Sequence, residues 1–115
     1  MEKLALFHNL INLAAADGKF TSEEVDFLAD AANRWQIPDD EFESALAGLS
    51  EGTLQLTIPE DMDGKVELMR EMLKLMAVDG ELAEMEKRLC AEASAKMDFT
   101  NQQFEEILNS VLRDA

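Results

Sequence analysis

The chain has 115 residues, which is enough for one domain with a hydrophobic core and too few for two domains of ordinary size. Apolar residues make up 47% of it and aromatic residues 6%, with no Tyr, 2 Pro and 5 Gly, a composition that favours helices over sheets. Its formal net charge of −15 would repel nucleic acids and anionic membranes, so the expected counter-charges are divalent cations and basic protein partners.

The first predicted helix carries apolar residues at three- and four-residue steps from Leu4 to Ala14, the pattern of one buried helical face. It ends near Asp17-Gly18, because glycine readily adopts the left-handed conformation that terminates helices.

A second helix is predicted by Thr21 and Glu24, which have the spacing of a capping box. In that motif the Thr hydroxyl accepts a hydrogen bond from the Glu amide and the Glu side chain reaches back. The helix continues toward Trp35. Pro38 marks the next break, and an apolar pattern over 42–49 predicts a third helix.

The connector at 51–61 is the one segment with β-type residues, but Pro59 favours an extended crossing over a strand. Thr57 and Glu60 again have capping-box spacing, which predicts a long fourth helix through about Val78. Because this helix is apolar on more than one side, we expect it to run through the centre of the domain.

Two further helices complete the prediction. A fifth runs from about Ala83 to Met97, and a capping box of Thr100 and Gln103 opens a sixth. The sixth helix has an inward apolar face made of Phe104, Ile107, Leu108 and Val111.

The sequence repeats itself without a gap at an offset of 62 positions. Repeat one spans about 3–49, the connector about 50–59, and repeat two about 60–112. We therefore predict an all-α single domain, 1–115, of about six helices in two pseudo-symmetric three-helix repeats. The identical pairs between the core segments of the repeats are Leu13/Leu75, Ala15/Ala77, Asp17/Asp79, Gly18/Gly80, Glu24/Glu86, Ala29/Ala91, Ala31/Ala93, Phe42/Phe104, Glu43/Glu105 and Leu46/Leu108.

The stretch AADGKFTSEE, residues 15–24, has the pattern of the second half of a calcium-binding EF-hand loop. With Asp17 at the fifth loop position, Glu24 falls on the twelfth, but Leu13 and Ala15 then occupy the first and third positions. Neither side chain can coordinate a cation, and the second repeat has the same fault. A functional EF-hand is therefore excluded.

A second EF-hand-like stretch, PEDMDGKVELMR, fails in the same way. Asp61, Asp63 and Gly64 fit the third, fifth and sixth positions, but Pro59 and Arg70 stand at its two ends. Its acidic residues are better explained by their favourable interaction with the dipole of the fourth helix.

The Asp-Gly turns leave two interpretations open. Asp17 and Asp79 lie at helix C-termini, where a carboxylate meets the negative end of the helix dipole. Each Asp could accept amide hydrogens and fix the turn. Alternatively Asp17, Glu24, Asp79 and Glu86 could bind Ca²⁺, Mg²⁺ or Mn²⁺ through carboxylate oxygens. The structural interpretation is favoured because Glu24 already has a role in its capping box.

The doubled pattern Ala-x-Asp-Gly followed by Glu resembles the TerB-like family of tellurite-resistance proteins and their relatives. The residues that match are Ala15 to Glu24 and Ala77 to Glu86. The resemblance implies an all-helical fold, metal chelation by the paired acidic residues and a role in bacterial stress response, without supplying a reaction. The cap Thr21-Ser22 is replaced by Ala83-Glu84 in the second turn, so two metal sites would be unequal.

No enzymatic motif is present. His8 is the single histidine. The sequence contains no motif that pairs a Ser or Cys nucleophile with a base, and no glycine-rich phosphate loop. Two functions therefore compete: a metal-binding stress-response domain, and a protein-interaction module with structural Asp-Gly turns. We expect a cytoplasmic protein, monomeric or weakly dimeric, without a signal peptide or membrane span, in which the single cysteine, Cys90, is buried and most methionines fill the core.

Overall fold

The amphipathic segments of the sequence form six α-helices in the computed structural model, which describes residues 2–17, 21–47, 56–78 and 84–114. Within these ranges there is no β-strand. The predicted all-α class and the six helices are confirmed. The helices are α1 (Lys3–Asp17), α2 (Ser22–Arg34), α3 (Asp39–Ala47), α4 (Met62–Met76), α5 (Glu84–Lys96) and α6 (Asn101–Asp114).

Helices α1 and α4 lie at the centre and supply most of the core. Each contacts the other and three of the remaining helices. The central position predicted for the fourth helix is confirmed, and Met69, Met72 and Met76 fill the core as expected, whereas Met62 at its start is exposed. The largest fully buried side chains of the two helices are Leu6, Phe7, Leu10, Ile11 and Leu13 on α1, and Leu68, Met69, Met72, Leu73, Leu75 and Met76 on α4.

Helix α4 begins later than the sequence predicted. Its N-cap is Asp61, whose Oδ2 accepts a hydrogen bond of 3.0 Å from the amide of Gly64. The capping box predicted at Thr57 and Glu60 is therefore wrong. Residues 56–59 form neither a helix nor a strand, and residues 51–55 of the connector lie outside the described residues.

The connector is fixed to α1 by the side chain of Asn9, which is almost completely buried. Its Nδ2 donates to the carbonyl oxygen of Thr57 at 2.9 Å, and its Oδ1 accepts from the amide of Thr57 at 2.8 Å. Both backbone groups of Thr57 are thus satisfied by one side chain, and the flanking Leu56 and Ile58 pack on the core.

Local structure recurs at the offset of 62 residues. Helices α2 and α5 have equivalent bounds, and each ends in a Schellman motif. Gln36 and Asp98 adopt positive φ angles of 56° and 60° at the two ends. The amide of Ile37 bonds the carbonyl of Ala32 at 2.8 Å, and the equivalent bond from Phe99 to Ser94 is 3.1 Å.

Helix contacts follow the same pattern. Helices α1, α2 and α3 of the first half correspond to α4, α5 and α6 of the second half. The contacts α1–α2, α1–α3 and α1–α5 therefore correspond to α4–α5, α4–α6 and α4–α2, and all six pairs are in contact. The arrangement of the halves about a two-fold axis stays a prediction. The radius of gyration, 13.1 Å, is that of one compact domain of this length. None of the described helices is long and apolar enough to cross a membrane.

Candidate functional site

Glu24, which follows the first Asp-Gly pair in the sequence, lies in the interior at the start of α2. Helix α1 ends at Asp17, and Thr21 is the N-cap of α2. The Glu24 amide donates to Thr21 Oγ1 at 3.1 Å, as the capping box predicted. The same hydroxyl donates to Glu24 Oε1 at 3.2 Å. Glu24 is 4% exposed, so its carboxylate is packed inside the domain while it caps the helix.

Glu86 occupies the equivalent position near the start of α5 and is 6% exposed. Carboxylates are seldom buried, because removal of their charge from water is costly unless other groups compensate. Burial at matching positions in both repeats therefore marks Glu24 and Glu86 as residues with a defined role. Such burial is compatible with a capping role and with a metal-ligand role.

The other two predicted ligands lie outside what the structure describes. This applies to the side chain of Asp17 and to the whole of Asp79. Whether the four carboxylates meet at one site or form two stays a prediction. Among the described residues, no group of three or more His, Cys, Asp or Glu side chains is arranged to hold a metal ion.

Cys90 has the environment of a core residue. It is 1% exposed, as predicted, and its thiol is free. Burial, together with the nearby charge of Glu86, raises the pKa of the Cys90 thiol to about 12. A thiol with such a pKa is protonated at neutral pH, and its nucleophilic form is suppressed. His8 lies half-buried on α1.

Two grooves at equivalent positions are a feature that the sequence did not reveal. The α2–α3 groove has a volume of about 300 Å³, and the α5–α6 groove has a volume of about 400 Å³. The α2–α3 groove is lined by Ala29, Ala32, Asn33, Ile37, Asp39 and Phe42. The equivalent residues Ala91, Ser94, Ala95, Phe99, Asn101 and Phe104 line the α5–α6 groove, whose wall also contains Leu73, Lys87, Cys90, Glu105 and Leu108.

The surface around the α2–α3 groove is strongly acidic. The only basic residue between 22 and 47 is Arg34, whose Nε bonds Asp30 Oδ2 at 3.0 Å and whose guanidinium lies over the ring of Trp35. The exposed acidic residues of this hairpin are Glu23, Asp26, Asp30, Asp39, Asp40 and Glu43.

The second hairpin has a nearly balanced surface. Between 84 and 113 the exposed acidic residues are Glu84, Glu92, Asp98, Glu105 and Glu106, and the exposed basic residues are Lys87, Arg88, Lys96 and Arg113. The two grooves therefore share a shape and differ in their electrostatic surroundings. That difference could have been read from the sequence once the repeat was known, but the grooves themselves depend on how the helices pack.

The chain matches no protein-family model, no curated protein and no solved structure.

Proposed function

We propose that this chain is a non-enzymatic, TerB-like domain whose acidic α2–α3 hairpin binds a basic protein partner. The observation that carries this proposal is the concentration of exposed carboxylates on one hairpin, while the equivalent hairpin carries a nearly balanced set of charges. If the acidic residues served solubility alone, they would not need to be concentrated on one hairpin. A localised negative surface attracts cationic partners and orients them during encounter.

The experiment compares two variants that remove the same charge from different hairpins. Asp26→Asn with Glu43→Gln acts on the α2–α3 hairpin, and Glu92→Gln with Glu105→Gln acts on the α5–α6 hairpin. All four residues are exposed, so both variants should remain folded. The probe is a fluorescently labelled peptide of about 16 residues, rich in Lys and Leu, and its binding is followed by fluorescence anisotropy.

We expect saturable binding to the unmodified chain that weakens as ionic strength rises, because salt screens exposed charges. The α2–α3 variant should lose more affinity than the α5–α6 variant. Equal losses would mean that only net charge attracts the peptide. Absence of saturable binding at low salt would contradict the proposal directly.

A second function, divalent-cation binding through Asp17, Glu24, Asp79 and Glu86, is favoured by the matching burial of the two Glu residues. Carboxylate oxygens suit Ca²⁺, Mg²⁺ and Mn²⁺, so the chemistry of these residues fits such an ion. The resemblance to TerB-like proteins adds a stress-response role to this proposal, and the single cysteine supports a reducing, cytoplasmic location.

Calorimetric titration of the metal-stripped protein with each of these cations tests the second function. The comparison is a folded variant that combines Asp17→Asn and Asp79→Asn. Saturable heat with a defined stoichiometry, lost in the variant, would establish the turns as ligand sites and count them. Weak, salt-screened heat common to both proteins would assign the turns a structural role.

A further inference from the structure

The α2–α3 groove has an apolar floor that continues beyond its own walls. Ala29, Ile37 and Phe42 contribute apolar surface to the groove. Val25 lies one helical turn before Ala29, and Leu46 lies one turn after Phe42. These two side chains are 43% and 37% exposed, so their apolar surface is accessible to a partner. The groove is therefore the centre of an apolar strip along the hairpin.

Acidic side chains border this strip. Asp39 lines the groove itself, Asp26 follows Val25 on α2, and Glu43 follows Phe42 on α3. All three are exposed, and the described ion pairs do not include any of them. An occupant must therefore present apolar groups to the floor and positive charge to the border.

We infer that the α2–α3 groove binds an amphipathic helix of a partner protein, with a large apolar side chain in the groove and Lys or Arg residues beside the acidic border. This inference rests on the proposed function, because it assigns a site and a conformation to the basic partner. A volume of about 300 Å³ holds one or two large side chains. That is the arrangement in which helices dock into apolar grooves.

The α5–α6 groove is less suited to a basic helix, because three positions of its border differ. Lys87 stands in the position of Val25, Arg88 in that of Asp26, and Asn101 in that of Asp39. These three differences replace one apolar and two acidic side chains by two basic ones and an amide, while Glu105 and Leu108 keep the character of Glu43 and Leu46. The second groove is thus a control of similar shape within the same molecule.

The experiment places the same obstruction in each groove. Ala29→Arg and Ala91→Arg alter equivalent, exposed positions on α2 and α5, each lining its groove. Both variants change the net charge by the same amount, and Arg is a good helix former. Circular dichroism and thermal unfolding check that both remain folded.

The probe is a labelled peptide of about 16 residues with Leu and one Trp on one helical face and Lys on the other. Its controls are a peptide of the same composition with a scrambled order, which removes the apolar face, and a peptide with Glu in place of Lys. We expect Ala29→Arg to weaken binding of the amphipathic peptide about tenfold or more. Ala91→Arg should leave the affinity within about a factor of two.

Each remaining outcome overturns a specific statement. Equal weakening in the two variants, or equal binding of the scrambled peptide, would mean that the peptide binds the acidic surface in general. Either result would contradict binding in the α2–α3 groove. Greater weakening by Ala91→Arg would assign the peptide to the other groove and also overturn the inference. Binding of the Glu-containing peptide as tightly as the Lys-containing one would overturn both the inference and the proposed function.

Discussion

Asn9 holds the connector in place through a single buried side chain. Its two hydrogen bonds to Thr57, 2.9 Å and 2.8 Å long, satisfy backbone groups of a segment that lies in neither a helix nor a strand. The Asn9 side chain thus bonds both the amide and the carbonyl of one residue. The side chain is 1% exposed, so water cannot easily replace it.

We therefore expect Asn9→Ala to lower the free energy of unfolding by about 1–3 kcal/mol, because the variant leaves the amide and carbonyl of Thr57 without their partners. Urea denaturation measures the change. Asn33→Ala is the matched control: Asn33 is exposed on α2, and its loss should cost less than about 0.5 kcal/mol. Equal effects of the two substitutions would contradict the role given to Asn9.

Gln36 adopts a conformation that glycine tolerates better. Its φ of 56° lies in the left-handed region, where the Cβ atom of an L-residue approaches the backbone. Because Gln36 is exposed, its side chain gains little from packing. The residue follows the C-cap of α2 and bonds Asn33 in the Schellman motif, a position that is most often glycine.

Gln36→Gly should therefore raise the free energy of unfolding by about 0.5–1 kcal/mol, since relief of the strained φ outweighs the added freedom of the unfolded chain. The control is Ser44→Gly in α3, an exposed helical position where glycine should be destabilising by a similar amount. Both are measured by thermal unfolding. A loss of stability in Gln36→Gly would show that the left-handed conformation costs less than the added freedom of the unfolded chain.

At the level of elements, the start of α4 depends on a close contact that the sequence alone does not reveal. A Cβ atom added to Gly64 would lie 2.9 Å from the ring Cβ of Pro59 and 2.9 Å from Asp61 Oδ1. The absence of a side chain at Gly64 therefore allows the connector and the N-cap to pack against the first turn of the helix.

We expect Gly64→Ala to destabilise the protein by about 1–2 kcal/mol, although alanine favours helices by about 1 kcal/mol over glycine. The reason is that Pro59 or the capping carboxylate must shift. In a double-mutant cycle with Asp61→Ala, the cost of Gly64→Ala should decrease, because one of the two clashes is removed. A stabilising Gly64→Ala substitution would mean that the first turn of α4 has room for a side chain.

The same helix shows which parts of the fold the sequence could predict. Helical periodicity and capping boxes are local signals, so the number and order of the helices followed from the sequence, and the box of Thr100 and Gln103 is confirmed in both directions. The predicted start of α4 was wrong because Thr57 and Asp61 both begin sequence patterns that can cap a helix. Packing of Pro59 against Gly64 decides between them, and that contact is tertiary.

The candidate site was predictable only in part, for a related reason. Glu24 and Glu86 were identified from the repeated turn, but their burial was not, because a Glu near a helix N-terminus is ordinarily exposed to solvent. The α2–α3 groove was missed altogether. Its floor combines residues from α2, the following turn and α3, and periodicity within one helix cannot predict how two helices pack.

The whole molecule carries many more negative charges than it can pair. It has 25 acidic residues and 10 basic ones. The described ion pairs are Lys3 with Glu67 at 2.8 Å, Arg34 with Asp30, and Lys74 with Glu71, and only the Glu71 side chain among them is mostly buried. The Lys3 ammonium lowers the pKa of Glu67, so this pair favours the charged carboxylate. Repulsion among the other acidic side chains opposes the compact state, which brings them closer together than the unfolded chain does.

Salt should therefore stabilise the protein, because screening reduces the repulsion more than it weakens a few exposed ion pairs. We expect Tm to rise by about 5 °C between about 20 mM and about 500 mM NaCl, measured by thermal unfolding. MgCl₂ at the same ionic strength should give the same rise if screening alone acts, and a larger one if the Asp-Gly turns bind the cation. The variant with Asp17→Asn and Asp79→Asn separates the two effects, since it retains the response to NaCl and loses any excess with MgCl₂. A fall in Tm with NaCl would mean that attractive surface pairs, rather than repulsion among carboxylates, dominate the electrostatics of this fold.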